Sequence, residues 1–212
     1  MSVGTKVRFS MAMDKISDFK KFHPGKHCFI ISSGPSLAEL NLEPLKRRLT
    51  FGLNRSFMAH PGAYYHCAMD ERLFELFPEE LKDTRYLFTF PDRPWGIPIN
   101  LLGANGFSFD LEEGIYSGYT VSYFALQLAV YMGFDRIFFV GLDLKNTSEK
   151  THFFGQDHRN LTHDTTEFPK MIRAFNEAAL ILKDTDIQIY NCCEDSALKC
   201  FPFMSYEDAI KI

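Results

Sequence analysis

The run SGYTVSYFALQLAVYMGFDRIFFVGLDL, residues 117–144, constrains the fold more than any other stretch of the chain. From 117 to 132 apolar residues recur at helical spacing behind a Ser-Gly start, and Gly133 ends the run as a C-cap does. RIFFVGLDL (136–144) follows and is apolar without interruption, the pattern of a parallel strand covered on both faces. A helix feeding such a strand belongs to an α/β sheet with helices on its faces.

The same alternation extends through the rest of the sequence. After a helical lead-in over residues 1–26, HCFIIS (27–32) reads as the first strand, followed by a loop and a short helix beginning near Ser36. LTFGLN (49–54) and AYYHCAMD (63–70) read as strands, ERLFELFPEEL (71–81) as a helix with Phe74, Phe77 and Leu81 on one face, and RYLFTF (85–90) as another strand. The Pro-rich PDRPWGIPIN (91–100) is barred from a central strand or helix and reads as a surface loop or lid. The polar, His-containing segment at about 145–168 has no clear periodicity and reads as a flexible lid. A helix with Pro169 in its first turn and a last strand, IQIYNC (187–192), complete the chain. The expected fold is a single-domain, doubly wound, mostly parallel α/β sheet, Rossmann-like and nucleotide-binding, over residues 27–212. A length of 212 residues suits one substantial core and is short for two ordinary domains.

Composition removes several function classes. With 46% hydrophobic and 24% charged residues the chain is globular rather than disordered. Net charge is −4 and the one dense basic cluster is Lys46, Arg47 and Arg48, so nucleic acid is not the expected partner. Cys28, Cys67, Cys192, Cys193 and Cys200 are odd in number and form no Cys-x-x-Cys pair, which favours reduced, buried thiols over a zinc or disulfide framework. The N-terminal residues lack the apolar stretch of a signal peptide, and no run is long enough to span a membrane. A cytoplasmic location follows as the expectation, with peripheral membrane association and homo-oligomerisation left open.

In doubly wound sheets ligands bind outside the carboxyl ends of the strands. Those ends carry Ser32, Ser33 and Gly34, then Asn54, Asp70, Gly141 with Asp143, and Asn191. Gly34-Pro35-Ser36 offers close backbone approach, a rigid turn and a hydroxyl suited to a phosphate, or else a plain connection with Ser36 as N-cap. YSGYT (116–120), before the long helix, poses the same choice. Asn54 offers a donor and an acceptor to a base or ribose, or serves as a turn residue. Asp70 and Asp143 read as Mg²⁺ ligands or as caps of loop N–H groups, with cap favoured for Asp143. His152, His158 and His163 crowd the lid segment, where an imidazole suits a general base; a zinc site is the rival, without Cys nearby.

SSGPSLAELN, FGLNRSF and the 117–144 run, followed by a His-containing loop, resemble the bacterial CMP-sialic-acid-dependent sialyltransferases of glycosyltransferase family 42. The motif order is also similar to the wider set of domains named after the archaeal 6-hydroxymethylpterin diphosphokinase MptE. The resemblance covers roughly residues 27 to 205. It implies an open α/β sheet with a lid and a metal-independent, inverting transfer from a nucleotide-sugar donor to a glycan acceptor, with a His as base. Gly34, Pro35 and Ser36 would hold donor phosphate or ribose, Asn54 the nucleotide, and Ser117 and Gly118 the base pocket. The base would be His163, with His152 as the competing position. Ser33 stands where the family has Asn, and Phe153 and Phe154 lie where it has a Tyr pair. The diphosphokinase reading would instead need Mg²⁺, with Asp70-Glu71 as its acids, and a catalytically silent nucleotide- or glycan-binding protein is the third reading. YYHCAMDERLF resembles relatives associated with surface polysaccharide synthesis, which favours sugar transfer.

Overall fold

The computed structural model describes residues 13–145, 152–155 and 161–212, with backbone alone for 161–166. Seven strands form one sheet: β1 (His27–Ile31), β2 (Thr50–Leu53), β3 (Tyr65–Cys67), β4 (Leu87–Thr89), β5 (Ile97–Pro98), β8 (Arg136–Val140) and β9 (Gln188–Asn191). Their order is β5-β4-β3-β2-β1-β8-β9 and every neighbouring pair is parallel. Winding proceeds outward from β1 through β5, then resumes on the other side of β1 with β8. The reversal therefore falls between β1 and β8, where the loops leaving two adjacent strands diverge and open a crevice.

Alternation within the central strands explains why they read as continuous apolar runs. Cys28 and Ile30 of β1 and Ile137 and Phe139 of β8 face a core shared with α3 (Val121–Tyr131) and α4 (Leu161–Leu182). Phe29, Ile31, Phe138 and Val140 face the opposite layer, with Leu37, Leu45 and Tyr206 from two short 3-10 turns and α5 (Tyr206–Ala209). Ala68 and Leu87 meet α1 (Arg72–Leu76) and α2 (Pro78–Lys82). Helix α3 is buried from Ser122 to Tyr131, as a helix that is apolar all round must be.

Four sequence expectations change. The lead-in contributes, within residues 13–26, one 3-10 turn, Ile16–Phe19; Phe19 is fully buried, edge-on to Tyr65, Tyr86 and Phe88. The 71–81 helix is two helices, because Pro78 has no N–H and disfavours helical geometry at Phe77, whose φ is −136° and ψ 49°. The Pro-rich stretch supplies β5 at the sheet edge, a position where the missing N–H of Pro98 interrupts no central ladder. Helix α4 begins eight residues before Pro169 rather than at it; Pro169 is exposed, and the buried face of Ala174, Phe175, Ala178 and Leu182 anchors the helix beyond it. A small parallel pair, β6 (Leu101–Gly103) with β7 (Ile115–Tyr116), was not anticipated. No described helix is long and apolar enough to cross a membrane.

Candidate functional site

The carboxyl ends of β1, β2, β3 and β8 and the first turn of α3 enclose a cavity of about 350 Å³ at the β1/β8 divergence. Ser33, Gly34, Pro35, Asn54, Asp70, Gly141, Asp143 and His152 line it. Ser36, Ser117 and Gly118 do not.

Ser36 is turned away by Asp143. The Asp143 carboxylate, 5% exposed, accepts from the Ser36 hydroxyl at 2.9 Å and, more weakly, from the Ser36 N–H at 3.4 Å. Cys193 donates its thiol to the other carboxylate oxygen at 3.2 Å. Burial pushes that thiol up to about 11, so it stays protonated and able to donate. The Gly34 N–H donates to the Gly141 carbonyl at 2.9 Å, and Pro35 has no N–H. The Gly-Pro-Ser loop thus spends its donors internally, and Asp143 occupies the capping role. Gly34 is required there: a Cβ would collide with the Asp143 carboxylate and come within 2.6 Å of the Gly141 oxygen.

Asn54 is held differently. His66, 1% exposed, donates from Nε2 to the Asn54 carbonyl at 2.9 Å. Burial lowers the imidazole to about 4 against the opposing pull of this bond, so His66 is neutral at pH 7. The Asn54 backbone sits at φ 46°, a conformation Asn tolerates better than most residues, and its Oδ1 is buried without a hydrogen-bond partner. Asn54, Tyr119 and Leu144 are three of the four described non-glycine residues with positive φ, and all three line the cavity. Strain of this kind concentrates at ligand sites.

Asp70 is forked by Arg72, which donates from Nε at 3.1 Å and from Nη2 at 2.7 Å. Among the described residues no three His, Cys, Asp or Glu side chains converge to hold a metal. Ser117 and Gly118 build the turn before α3: their N–H groups donate to the Gly103 and Ala104 carbonyls, and a Cβ on Gly118 would overlap the Tyr123 ring. The four residues after them reach the cavity instead. Thr120 caps α3 by accepting from the Ser122 N–H, and the Ser122 hydroxyl meets that of Ser32 at 3.0 Å. The N-terminus of an eleven-residue helix therefore faces the cavity, and its dipole favours an anion there.

Lys145 is the one cation among the described residues that line the cavity. Beyond it His152 forms part of the wall, in a turn tied to β1 by the Phe153 N–H donating to the Ser33 carbonyl at 3.1 Å. His158 and the His163 side chain lie outside the described residues; the His163 backbone belongs to α4. Sequence reasoning missed His66, Ser122 and Lys145, and within YSGYT it named Ser117 and Gly118 where Tyr119 and Thr120 line the cavity. Only Thr120 carried a usable signal, as a cap residue directly ahead of the helical run.

No protein-family model matches the chain, and no curated protein matches it in sequence. Among solved structures it is similar to the sialyltransferase CstII from Campylobacter jejuni in complex with the substrate analogue cytidine-5'-monophosphate, at a TM-score of 0.54 and 16% identity over 86% of each chain. It is similar to the same enzyme in complex with CMP-3FNeuAc at a TM-score of 0.52 and 14% identity, over 85% of this chain and 86% of that one. At such identity the likeness establishes a shared fold.

Proposed function

We propose that the chain is a nucleotide-sugar glycosyltransferase of bacterial surface-glycan synthesis, working in the cytoplasm on a CMP-activated, sialic-acid-type donor and a glycan acceptor. The observation that carries this reading is a strand-end cavity that is lined by Asn54, whose buried Oδ1 has no hydrogen-bond partner, and that also receives the α3 N-terminus. An acceptor atom without a donor suits a base amino group or a ribose hydroxyl, and the helix end suits the phosphate. The shared fold with an enzyme whose structures are in complex with cytidine-5'-monophosphate and CMP-3FNeuAc supports the choice of nucleotide.

The chemistry asked of the protein is small. An acceptor hydroxyl attacks the anomeric carbon, the bond from that carbon to the phosphate oxygen breaks, and CMP leaves with the electron pair, inverting the centre without a metal. Lys145 and the α3 N-terminus face the departing negative charge. A base takes the hydroxyl proton. His163 is the leading candidate for that role and His152, which lines the cavity wall, the competing one. The Mg²⁺-dependent diphosphokinase reading is disfavoured because the Asp70 carboxylate is already forked by Arg72.

A thermal-shift panel of CMP, CDP, UDP, GDP and ATP, with and without Mg²⁺, tests the reading. Stabilisation by CMP without metal is expected; stabilisation by ATP with Mg²⁺ alone would overturn it. Asn54→Gly removes the amide while tolerating positive φ, and should weaken CMP binding about tenfold with little change in the unliganded melting temperature. In a donor-plus-acceptor assay, His163→Ala should cost roughly 10²- to 10⁴-fold in turnover. Near-normal turnover there, with collapse in His152→Ala, would move the base to His152.

A further inference from the structure

A second cavity, of about 450 Å³, lies in the layer opposite α3 and shares no lining residue with the strand-end cavity. It is framed by two 3-10 turns after β1, Pro35–Glu39 and Glu43–Arg47, and by the end of the 3-10 turn after β2, Asn54–Met58. Leu37, Leu40, Ala59 and Phe153 give it apolar walls, and Met58, 54% exposed, gives it an apolar lip. His60 lines it as well. That residue is 2% exposed, and its backbone is fixed by its N–H donating to the Ser56 carbonyl at 2.8 Å. Its Nε2 is buried without a hydrogen-bond partner among the described residues. A polar atom buried in this way destabilises the fold unless something from outside the chain completes it.

The chemistry of the walls narrows what that is. Burial lowers the imidazole, Lys46 adds to the effect and Glu43 opposes it, so His60 is neutral at pH 7. Both of those charged residues line the same cavity, and they pair with each other at 2.6 Å. A neutral imidazole presents at Nε2 either a proton or a lone pair, and a hydroxyl satisfies both because it donates and accepts. The paired Glu43 and Lys46 carry no net charge to select an ion, yet they present an acceptor and donors to further hydroxyls. A ligand with an apolar face, several hydroxyls and no charge meets every one of these conditions. We propose that the cavity is a carbohydrate-binding site that takes a neutral pyranose, with the C–H face of the sugar against Phe153 and Leu37, one hydroxyl on His60 Nε2 and others on the Glu43–Lys46 pair. The site is separate from the one assigned to the nucleotide and stands on its own geometry.

Titration of glucose, galactose and N-acetylglucosamine into the full chain, followed by ¹H–¹³C NMR of the His60 imidazole, tests the site; His60→Gln assigns the resonance. At least one sugar should move that resonance saturably. Cyclohexanol, which has an apolar ring and a single hydroxyl, should bind more weakly because it leaves the charged pair unmet. His60→Leu should weaken the sugar about tenfold, the loss of one hydrogen bond to a buried partner. The melting temperature of the unliganded variant should hold or rise, since leucine needs no partner. Phe153→Ala should weaken the sugar about 3- to 10-fold by removing apolar surface beneath it. CMP should not displace the sugar. No sugar-dependent movement, cyclohexanol binding as tightly as the sugars, sugar affinity unchanged in His60→Leu, or displacement by CMP each overturns the proposal. A sugar bound as described, by a protein that CMP does not stabilise, leaves the site standing and removes the nucleotide-sugar reading alone.

Discussion

The backbone carbonyl of Asn54, a residue at positive φ, is bonded by a histidine twelve residues later that burial keeps neutral. His66 can donate to the Asn54 carbonyl in either protonation state, but burial makes the charged form costly, and this has a consequence for stability against pH. In the unfolded chain the imidazole gains its proton near pH 6.5; in the folded chain it does so only near 4. Between these values the unfolded state binds more protons, so stability is complete above pH 6.5 and falls as the pH drops to about 4, by on the order of 3 kcal/mol from this group. His23, His27 and His60 are also lowered, each first by burial, and act with the same sign. The contribution of His66 is therefore the difference between wild type and His66→Gln: urea midpoints from pH 7 to pH 4 should fall more steeply in wild type, and parallel curves would reject the assignment. At this scale the sequence showed which residues stand at strand ends, because a strand buried on both faces reads as an apolar run with an abrupt polar end. It did not show which way they point. Ser36 turned toward Asp143 instead of the cavity because a buried carboxylate needs donors, and no pattern in Gly-Pro-Ser announces a partner more than a hundred residues away.

Among elements, α3 was the most legible and also hid the most. Its uniform apolarity located it and implied burial, and the same uniformity made Gln127 look like an incidental polar residue. Gln127 is fully buried and fully employed. Its amide donates to the carbonyls of Tyr116, at 2.8 Å, and Tyr123, at 3.2 Å, and its Oε1 accepts from the N–H groups of Ser108, at 3.0 Å, and Tyr116, at 3.2 Å. One side chain thus stitches α3 to β7 and to the loop that crosses it, and through them holds the turn that presents Thr120 and Ser122 to the cavity. Gln127→Leu fills the same space and takes a partner from four backbone groups, so it should cost about 3 kcal/mol in urea unfolding. A loss below about 1 kcal/mol would mean that the loop re-pairs with water. Short elements escaped for a different reason. β6 and β7 span three and two residues, fewer than periodicity needs to declare itself. In α4, Pro169 was read as a start signal because first-turn proline is common; in this helix it is an exposed interior residue tolerated by the buried face beyond it.

The whole molecule carries a net charge of −4, and the ligand assigned to its cavity is an anion. Approach is therefore opposed at long range, and binding depends on what lies within a Debye length, about 8 Å at physiological salt. Inside that radius the cavity holds two carboxylates, Asp70 forked by Arg72 and Asp143 satisfied by a hydroxyl and a thiol, against one lining cation, Lys145, and the α3 N-terminus. The topology makes this balance unavoidable: the loops of β1 and β8 part at the point of reversal, so the residues after β8 that brace the sheet, Asp143 first among them, share the crevice with the ligand. Lys145, two residues further, is placed to compensate. Lys145→Ala should weaken CMP binding about 5- to 30-fold at roughly 50 mM salt, the range of one charge pair at intermediate dielectric. The salt dependence should also reverse. In wild type, added salt screens the Lys145 attraction and weakens binding; with alanine only the repulsion remains to be screened, so binding should hold or tighten as salt rises. Isothermal titration of CMP into both proteins across a salt series measures the two slopes. Equal affinity at low salt, or slopes of the same sign, would place the phosphate away from Lys145 and leave the helix N-terminus as its main support.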